Sequence, residues 1–265
     1  MSILTPRSSA DDSATSPKAV DVLGVGIHPL TVDQLHKELT RLIDTGVHAE
    51  VLHVNVYGLN LASENPWLRN YFNQAEIVVC DGAGIMLGAR ILGQYIPERI
   101  TYADWMWQLA EFAATHGYSF YFLGAKPGVA QAAADRMIAR YPDLKIVGVR
   151  DGYFNKSDGH PENEAVLNDI NNAQPNILII GMGMPVQEQW LHDNWGRIDA
   201  NIALTGGAVF DYASGELQRA PAWMTNNGLE WLGRLLIEPR RLWQRYIIGN
   251  PAFLVRVMRE RLHRL

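Results

Sequence analysis

Asp81 follows the apolar run Glu76-Ile77-Val78-Val79-Cys80 and opens the glycine-rich turn Asp81-Gly82-Ala83-Gly84. A carboxylate between a buried strand and a tight turn is partly desolvated, which raises its pKa and suits it to accept a proton as a general base. The same spacing also fits an aspartate that caps the next helix through free backbone amides, so spacing leaves both roles open. Four other clusters end apolar runs: His53/Asn55, the Gly124-to-Gly128 turn, the Gly181-to-Pro185 turn, and Thr205-Gly206-Gly207. Their recurrence at one edge says more than any one of them.

The segment FLGAKPGVAQAAADRM carries a glycine turn opening onto a helix, whose amides suit a phosphate. Its spacing is G-x-x-x-G, not the G-x-G-x-x-G of a dinucleotide fingerprint. Lys126 adds charge to such a site or faces solvent. Gly124 and Gly183, in the turns after two strands, are expected to offer backbone to a substrate. Gln187 and Glu188 follow Pro185 at a helix start, where an amide and a carboxylate suit sugar hydroxyls; Glu188 there also favours the helix dipole. Arg99 either binds phosphate or pairs with Glu98 or Asp104. Cys80 reads as a buried core residue, since no histidine is tied to it in sequence. No D-x-D or H-E-x-x-H spacing occurs among the carboxylates and eight histidines, so no metal and no cofactor is expected.

These residues need elements to hold them. Residues 20–27, VDVLGVGI, suit a short opening strand or hairpin, and Thr31 is placed to cap a helix through Asp44 carrying Leu35, Leu39 and Leu42 at helical spacing. VLHVNV reads as a buried strand ending near Asn55, followed by one helix through LNLASENPWLRNYFNQA and the strand 76–80. Helices near 103–116, 127–140, 162–173 and 186–195 then alternate with the strands YSFYFLG, LKIVGV, NILIIGMG and ANIALTGG. Continuous apolar strands separated by helices predict an α/β fold: a Rossmann-like, doubly wound, mostly parallel sheet with helices on both faces. In such a sheet ligands bind beyond the carboxyl ends of the strands, where the polar clusters fall. Residues 1–18 read as a disordered tail, 19–228 as the catalytic core and 229–265 as a C-terminal Arg-rich helical appendage.

The chain has 265 residues, 48% hydrophobic and 19% charged, as expected of an ordered globular protein. Its one cysteine excludes an internal disulfide framework and favours a reducing compartment. No apolar run approaches the roughly 18 residues needed to span a bilayer, and the start of the chain lacks the pattern of a signal peptide. The net charge of −5 hides an asymmetry: residues 229–265 hold eight arginines against three glutamates, a balance of +5 that leaves −10 for the rest. Phe253, Leu254, Val257, Met258, Leu262 and Leu265 lie broadly along one helical face, with Arg256, Arg259 and Arg264 elsewhere. A basic amphipathic end suits an anionic membrane surface, with solvent-facing arginines on a packed helix as the alternative. The acidic body argues against nucleic acid.

In order, NVYGLNLASEN, VVCDGAGIMLGARILG, PERIT-x-x-D, GMGMPVQEQW, TGGAVFDYASGELQRAPAWM and GLEWLGRLLIEPRRLWQRY resemble the WecG/TagA/CpsF glycosyltransferase family. The likeness runs from Val22 to about Phe253. It implies an inverting, metal-independent enzyme with a Rossmann-like core and a membrane-associating appendage. Such an enzyme moves a sugar from a UDP-sugar, typically of N-acetylmannosamine or its uronic acid, to a polyprenyl-diphosphate-linked glycan in bacterial cell-surface polysaccharide synthesis. By this resemblance Asp81 is the general base, Asn55 lies at the donor pocket, and Arg99 and Gln187 match the family's E-R arginine and P-x-Q-E glutamine. Arg234, Arg241 and Arg245 match appendage arginines that approach diphosphate. Two positions depart from the pattern: His53 stands where the family usually has threonine, and Tyr102 where it often has glycine. Both border the donor site, so the donor sugar stays open, as do acceptor, linkage and a homo-oligomeric state. The expected location is the cytoplasm, attached peripherally to the inner face of the membrane. Two rival readings are a nicotinamide-dependent oxidoreductase on the same sheet and a non-catalytic glycolipid-binding scaffold.

Overall fold

A computed structural model of the chain describes residues 18–264. The expected tail lies outside the described residues except for Lys18, and Leu265 lies outside them too. The chain opens with an antiparallel hairpin, β1 (Val20–Val22) and β2 (Val25–Ile27). Helix α1 (Val32–Asp44) follows, started by a reciprocal capping box between Thr31 and Gln34. Next come β3 (Ala49–Val54), α2 (Val56–Glu64), α3 (Pro66–Gln74), β4 (Ile77–Cys80), α4 (Ala83–Ile91) and α5 (Tyr102–His116). The middle of the chain alternates β5 (Ser119–Gly124), α6 (Val129–Arg140), β6 (Lys145–Arg150), α7 (Pro161–Ala173), β7 (Ile177–Gly181), α8 (Val186–Asn194), β8 (Ile202–Thr205) and α9 (Val209–Ser214). It closes with α10 (Ala222–Asn226), α11 (Glu230–Ile237), α12 (Pro239–Trp243), a wide helical turn over Gln244–Ile248 and α13 (Gly249–His263).

One helix was expected across residues 59–75, but the structure has two. The break is at Asn65-Pro66: proline has no amide to continue the ladder, and the residue before it is pushed to extended backbone, here φ −124° and ψ 98°.

Strands β3 to β8 form one six-stranded sheet in the order β4-β3-β8-β7-β5-β6, every pairing parallel. Side chains alternate across a strand, and the sequence fills both faces with apolar groups. Val51, Val79, Phe120, Phe122, Ile179 and Leu204 meet α1, α5, α6 and α9 on one face. Leu52, Val54, Val78, Leu123, Leu178 and Ile180 meet α2, α3, α4, α7, α8 and α13 on the other. The α/β, doubly wound expectation therefore holds, and the two cores make the sheet a rigid platform.

The C-terminal helices return to this platform. Phe253 and Val257 of α13 are fully buried in the second core, against α2 and α4. Burial of two such side chains contributes roughly 1.5–3 kcal/mol each. Gly88 makes the approach possible, because a Cβ there would sit 2.6 Å from the Phe253 ring. Arg256 adds hydrogen bonds to Asn60 (2.6 Å) and Glu64, and Asn60 donates to the Gly249 carbonyl (2.8 Å). The stripe expected along α13 is thus divided: Phe253 and Val257 face the core, while Leu254, Met258 and Leu262 stay exposed.

Candidate active site

The carboxyl ends of β3, β4, β7 and β8 open into a cavity of about 600 Å³, within the roughly 300–1,000 Å³ range of small-molecule sites. These strands meet where the chain's strand order reverses, the usual ligand position in an open parallel sheet. The turns after them supply Asn55, Asp81 to Gly84, Gly183 and Gly206 to Ala208. Thr101, Tyr102 and Ala103 at the start of α5 add one wall. Glu230, Trp231, Arg234, Arg241, Arg245 and Tyr246 cover it from the C-terminal helices.

Asp81 is half-buried at the cavity wall, its amide extending the ladder by donating to the Val54 carbonyl (2.8 Å). It does not cap α4. Gly82 holds the cap position, and no side chain bonds the first amides there. Asp81 is left free for other work, and burial pushes its carboxyl up to about 6, with the Glu230 charge adding to the rise. Arg245, the Asn55 amide and Arg99 act the other way and limit it. Asn55 caps α2 by accepting from the Gly58 amide (3.1 Å), which fixes its side chain beside Asp81.

Four arginines line the cavity, each held differently. Arg99 pairs with neither Glu98 nor Asp104. It donates to the Thr225 carbonyl (2.8 Å) and meets Glu230 (3.4 Å), because α10 and α11 fold back over it. Glu98 instead accepts from the Val32 amide (2.9 Å), and Asp104 is paired with Arg219. Arg234 is nearly buried, donating to the Tyr212 hydroxyl (2.6 Å) and Glu238 (2.9 Å). Arg241 shares Glu238 (2.7 Å) and is otherwise exposed. Arg245 lies 4.7 Å from the Tyr57 ring centroid, and among the described residues no carboxylate pairs with it. Cations held on rigid helices above a carboxylate suit an anionic leaving group.

Two expected ligand residues fall elsewhere. Gly124 does not line the cavity. It ends β5, one strand beyond the cavity, and a Cβ there would come within 2.3 Å of the Gly181 carbonyl oxygen, so its role is close backbone packing. Glu188 is fully buried under the platform and also does not line the cavity. Burial raises its carboxyl to about 7, opposed by the hydrogen bond from Gln187 (2.7 Å). Gln187 does line the cavity, but its oxygen is already occupied by the amides of Gly183 and Gly207, both at 3.0 Å. It fastens two site turns together. Gly183 lines the cavity, whereas Lys126 is exposed away from it. His53 is 2% exposed and lies under the cavity beside Tyr102.

Among the described residues no three His, Cys, Asp or Glu side chains gather in a way that would hold a metal ion. No helix among them is long and apolar enough to cross a membrane.

The sequence profile of the glycosyl transferase WecG/TagA/CpsF family matches residues 20–265. The chain belongs to this family. It is a glycosyltransferase, which sets aside the oxidoreductase and scaffold readings. Over 195 residues it is 28% identical to the N-acetylglucosaminyldiphosphoundecaprenol N-acetyl-beta-D-mannosaminyltransferase of Bacillus subtilis (strain 168), covering 72% of this chain and 73% of that one. The protein with the same name from Staphylococcus aureus (strain NCTC 8325) is 25% identical over 244 residues, covering 91% and 93%.

Within this WecG/TagA/CpsF chain, sequence reasoning missed Glu230, Tyr212 and Tyr57 as parts of the site. Glu230 entered only as a charge in the Arg-rich segment. Nothing local in the sequence placed its helix over Asp81.

Proposed function

We propose that this glycosyltransferase moves a sugar from a UDP-sugar to a polyprenyl-diphosphate-linked glycan with inversion at the anomeric carbon. The named relatives act on a diphosphoundecaprenol-linked sugar, which supports a lipid-linked acceptor here. The observation that carries the reading is Asp81, raised to about 6 at the wall of a cavity whose cover bears Arg234, Arg241 and Arg245.

The step is a single displacement. An acceptor hydroxyl attacks the anomeric carbon, its proton passes to the Asp81 carboxylate, and the bond to the diphosphate oxygen breaks with UDP leaving. A carboxylate with pKa near 6 is mostly ionised at pH 7.5 and is a stronger base than an exposed aspartate. Charge gathering on the diphosphate is met by Arg245, the cavity arginine with no partner carboxylate among the described residues, with Arg99, Arg234 and Arg241 close by. In this reading the arginines supply the countercharge and no metal takes part.

The lipid acceptor requires the cavity mouth to reach a membrane surface. Leu236, Ile237, Trp243, Ile247 and Ile248 are exposed on the covering helices, interleaved with Arg240 and Arg241. An apolar surface edged by arginines suits the headgroup region of an anionic bilayer, so the protein is peripheral and works at the inner face.

The test offers purified protein UDP-sugars with a polyprenyl-diphosphate sugar, follows UDP release, and reads the anomeric configuration of the product by NMR. UDP release with an inverted linkage is expected. Retention of configuration would overturn the single displacement.

A further inference from the structure

Glu188 is a carboxylate buried without a cation. It is 0% exposed, does not line the cavity, and joins no ion pair among the described residues. One of its oxygens accepts from the Gln187 amide (2.7 Å), and the other has no partner among the described residues. A buried charge left unpaired is costly, and an apolar side chain of similar size is often neutral or better for stability. Burial accordingly raises this carboxyl to about 7, against the Gln187 hydrogen bond and its own backbone amide. The start of α8 favours a negative charge, but a first-turn carboxylate facing solvent would gain as much without burial.

The use of this glutamate lies with Gln187. The Gln187 oxygen accepts from the amides of Gly183 and Gly207, and neither amide has another partner among the described residues. The two glycines stand in left-handed turns after the neighbouring strands β7 and β8, at φ 82° and 56°. A Cβ on either would meet nothing within 4 Å, so no packing steadies that side of the turns. Both turns line the cavity, with Met184 and Ala208 beside the glycines. A carboxamide turned end for end would set its NH2 against two N–H groups and its oxygen against a carboxylate. Glu188 thus locks Gln187 from one end, and the two amides lock it from the other. Without an acceptor at position 188, the NH2 of Gln187, a residue 1% exposed, is buried and unpaired.

We propose that Glu188 is a positioning residue for glycosyl transfer: it holds the Gln187 amide in the one orientation that fixes the Gly183 and Gly207 turns at the cavity wall. It acts through Gln187 and does not touch the substrate. Only the rate assay below rests on the UDP-sugar reading.

The test compares the full chain as wild type, Glu188→Gln and Glu188→Met. NMR-detected hydrogen exchange reads the Gly183 and Gly207 amides, with Ile179 and Leu204 in the sheet as references. UDP release with a UDP-sugar and a polyprenyl-diphosphate sugar reads kcat/KM. In Glu188→Met the two glycine amides should exchange roughly 5- to 100-fold faster relative to the sheet amides, the range for one buried hydrogen bond. Its kcat/KM should fall by a similar factor. Glu188→Gln keeps an oxygen for the Gln187 NH2 to donate to, so its glycine exchange and kcat/KM should stay close to wild type. Wild-type kcat/KM in Glu188→Met would overturn the inference. So would equal acceleration of glycine and sheet amides, which marks a residue that serves folding alone, or a Glu188→Gln loss as large as that of Glu188→Met. No UDP release by the wild type would overturn the UDP-sugar reading, and the exchange rates would still decide this inference.

Discussion

Replacing Asp81 with asparagine should make the protein more stable and much less active. The carboxyl is raised from 3.8 to about 6, chiefly by burial, so the folded chain holds this proton more tightly than the unfolded one. Ionising it therefore costs folding free energy, fully present above about pH 6 and absent below about pH 4. At ~1.4 kcal/mol per pH unit the shift corresponds to roughly 3 kcal/mol, and residual solvation of a half-buried group reduces it to about 1–3 kcal/mol. Asparagine has nearly the same shape and no charge. Urea unfolding at pH 8 should give Asp81→Asn a gain of about 1–3 kcal/mol over wild type, shrinking toward zero near pH 4. Turnover measured on the same preparation should fall on the order of 10²–10⁴-fold. A variant less stable than wild type at pH 8 would refute the reasoning, because it would make the carboxylate a structural anchor. Turnover near the wild-type value would remove Asp81 as the base.

Two further outcomes follow from the covering helices. Phe253→Ala removes the fully buried ring that docks α13 against Gly88 and should cost about 3–5 kcal/mol in urea unfolding; an unchanged midpoint would show that α13 is not held this way. In sedimentation, vesicles rich in anionic lipid should carry the protein down at 0.1 M salt and release much of it at 1 M, where the screening length falls from about 10 Å to about 3 Å. Equal binding to neutral vesicles would contradict a role for Arg240 and Arg241.

The sheet was legible in the sequence because a parallel sheet covered on both faces needs uninterrupted apolar strands, and segments such as Ile177–Gly181 are entirely buried. The carboxyl-edge position of Asp81, Asn55 and Gly183 followed from the same pattern. What escaped depends on three-dimensional neighbours. Gly124 and Gly183 sit in similar strand-end turns, and only the strand order puts one outside the cavity and the other in it. Glu188 and Gln187 are adjacent in sequence, yet the helical turn sends one beneath the platform and leaves the other lining the cavity. Arg99 met Glu230, 131 residues away, in place of its sequence neighbours. The α13 stripe looked like a single apolar face because sequence periodicity does not show that a glycine on another helix opens a socket for Phe253.

The pH dependence of kcat/KM for UDP release tests the central claim most directly, since it reports ionisations of the free enzyme. With the Asp81 carboxyl at about 6, roughly 9% is ionised at pH 5 and about 91% at pH 7, a tenfold difference. The account predicts an acid limb with its midpoint near pH 6 that rises with pH and is missing from the residual activity of Asp81→Asn. A wild-type profile that stays flat from pH 5 to pH 7.5, or an acid limb that persists unchanged in Asp81→Asn, would contradict it.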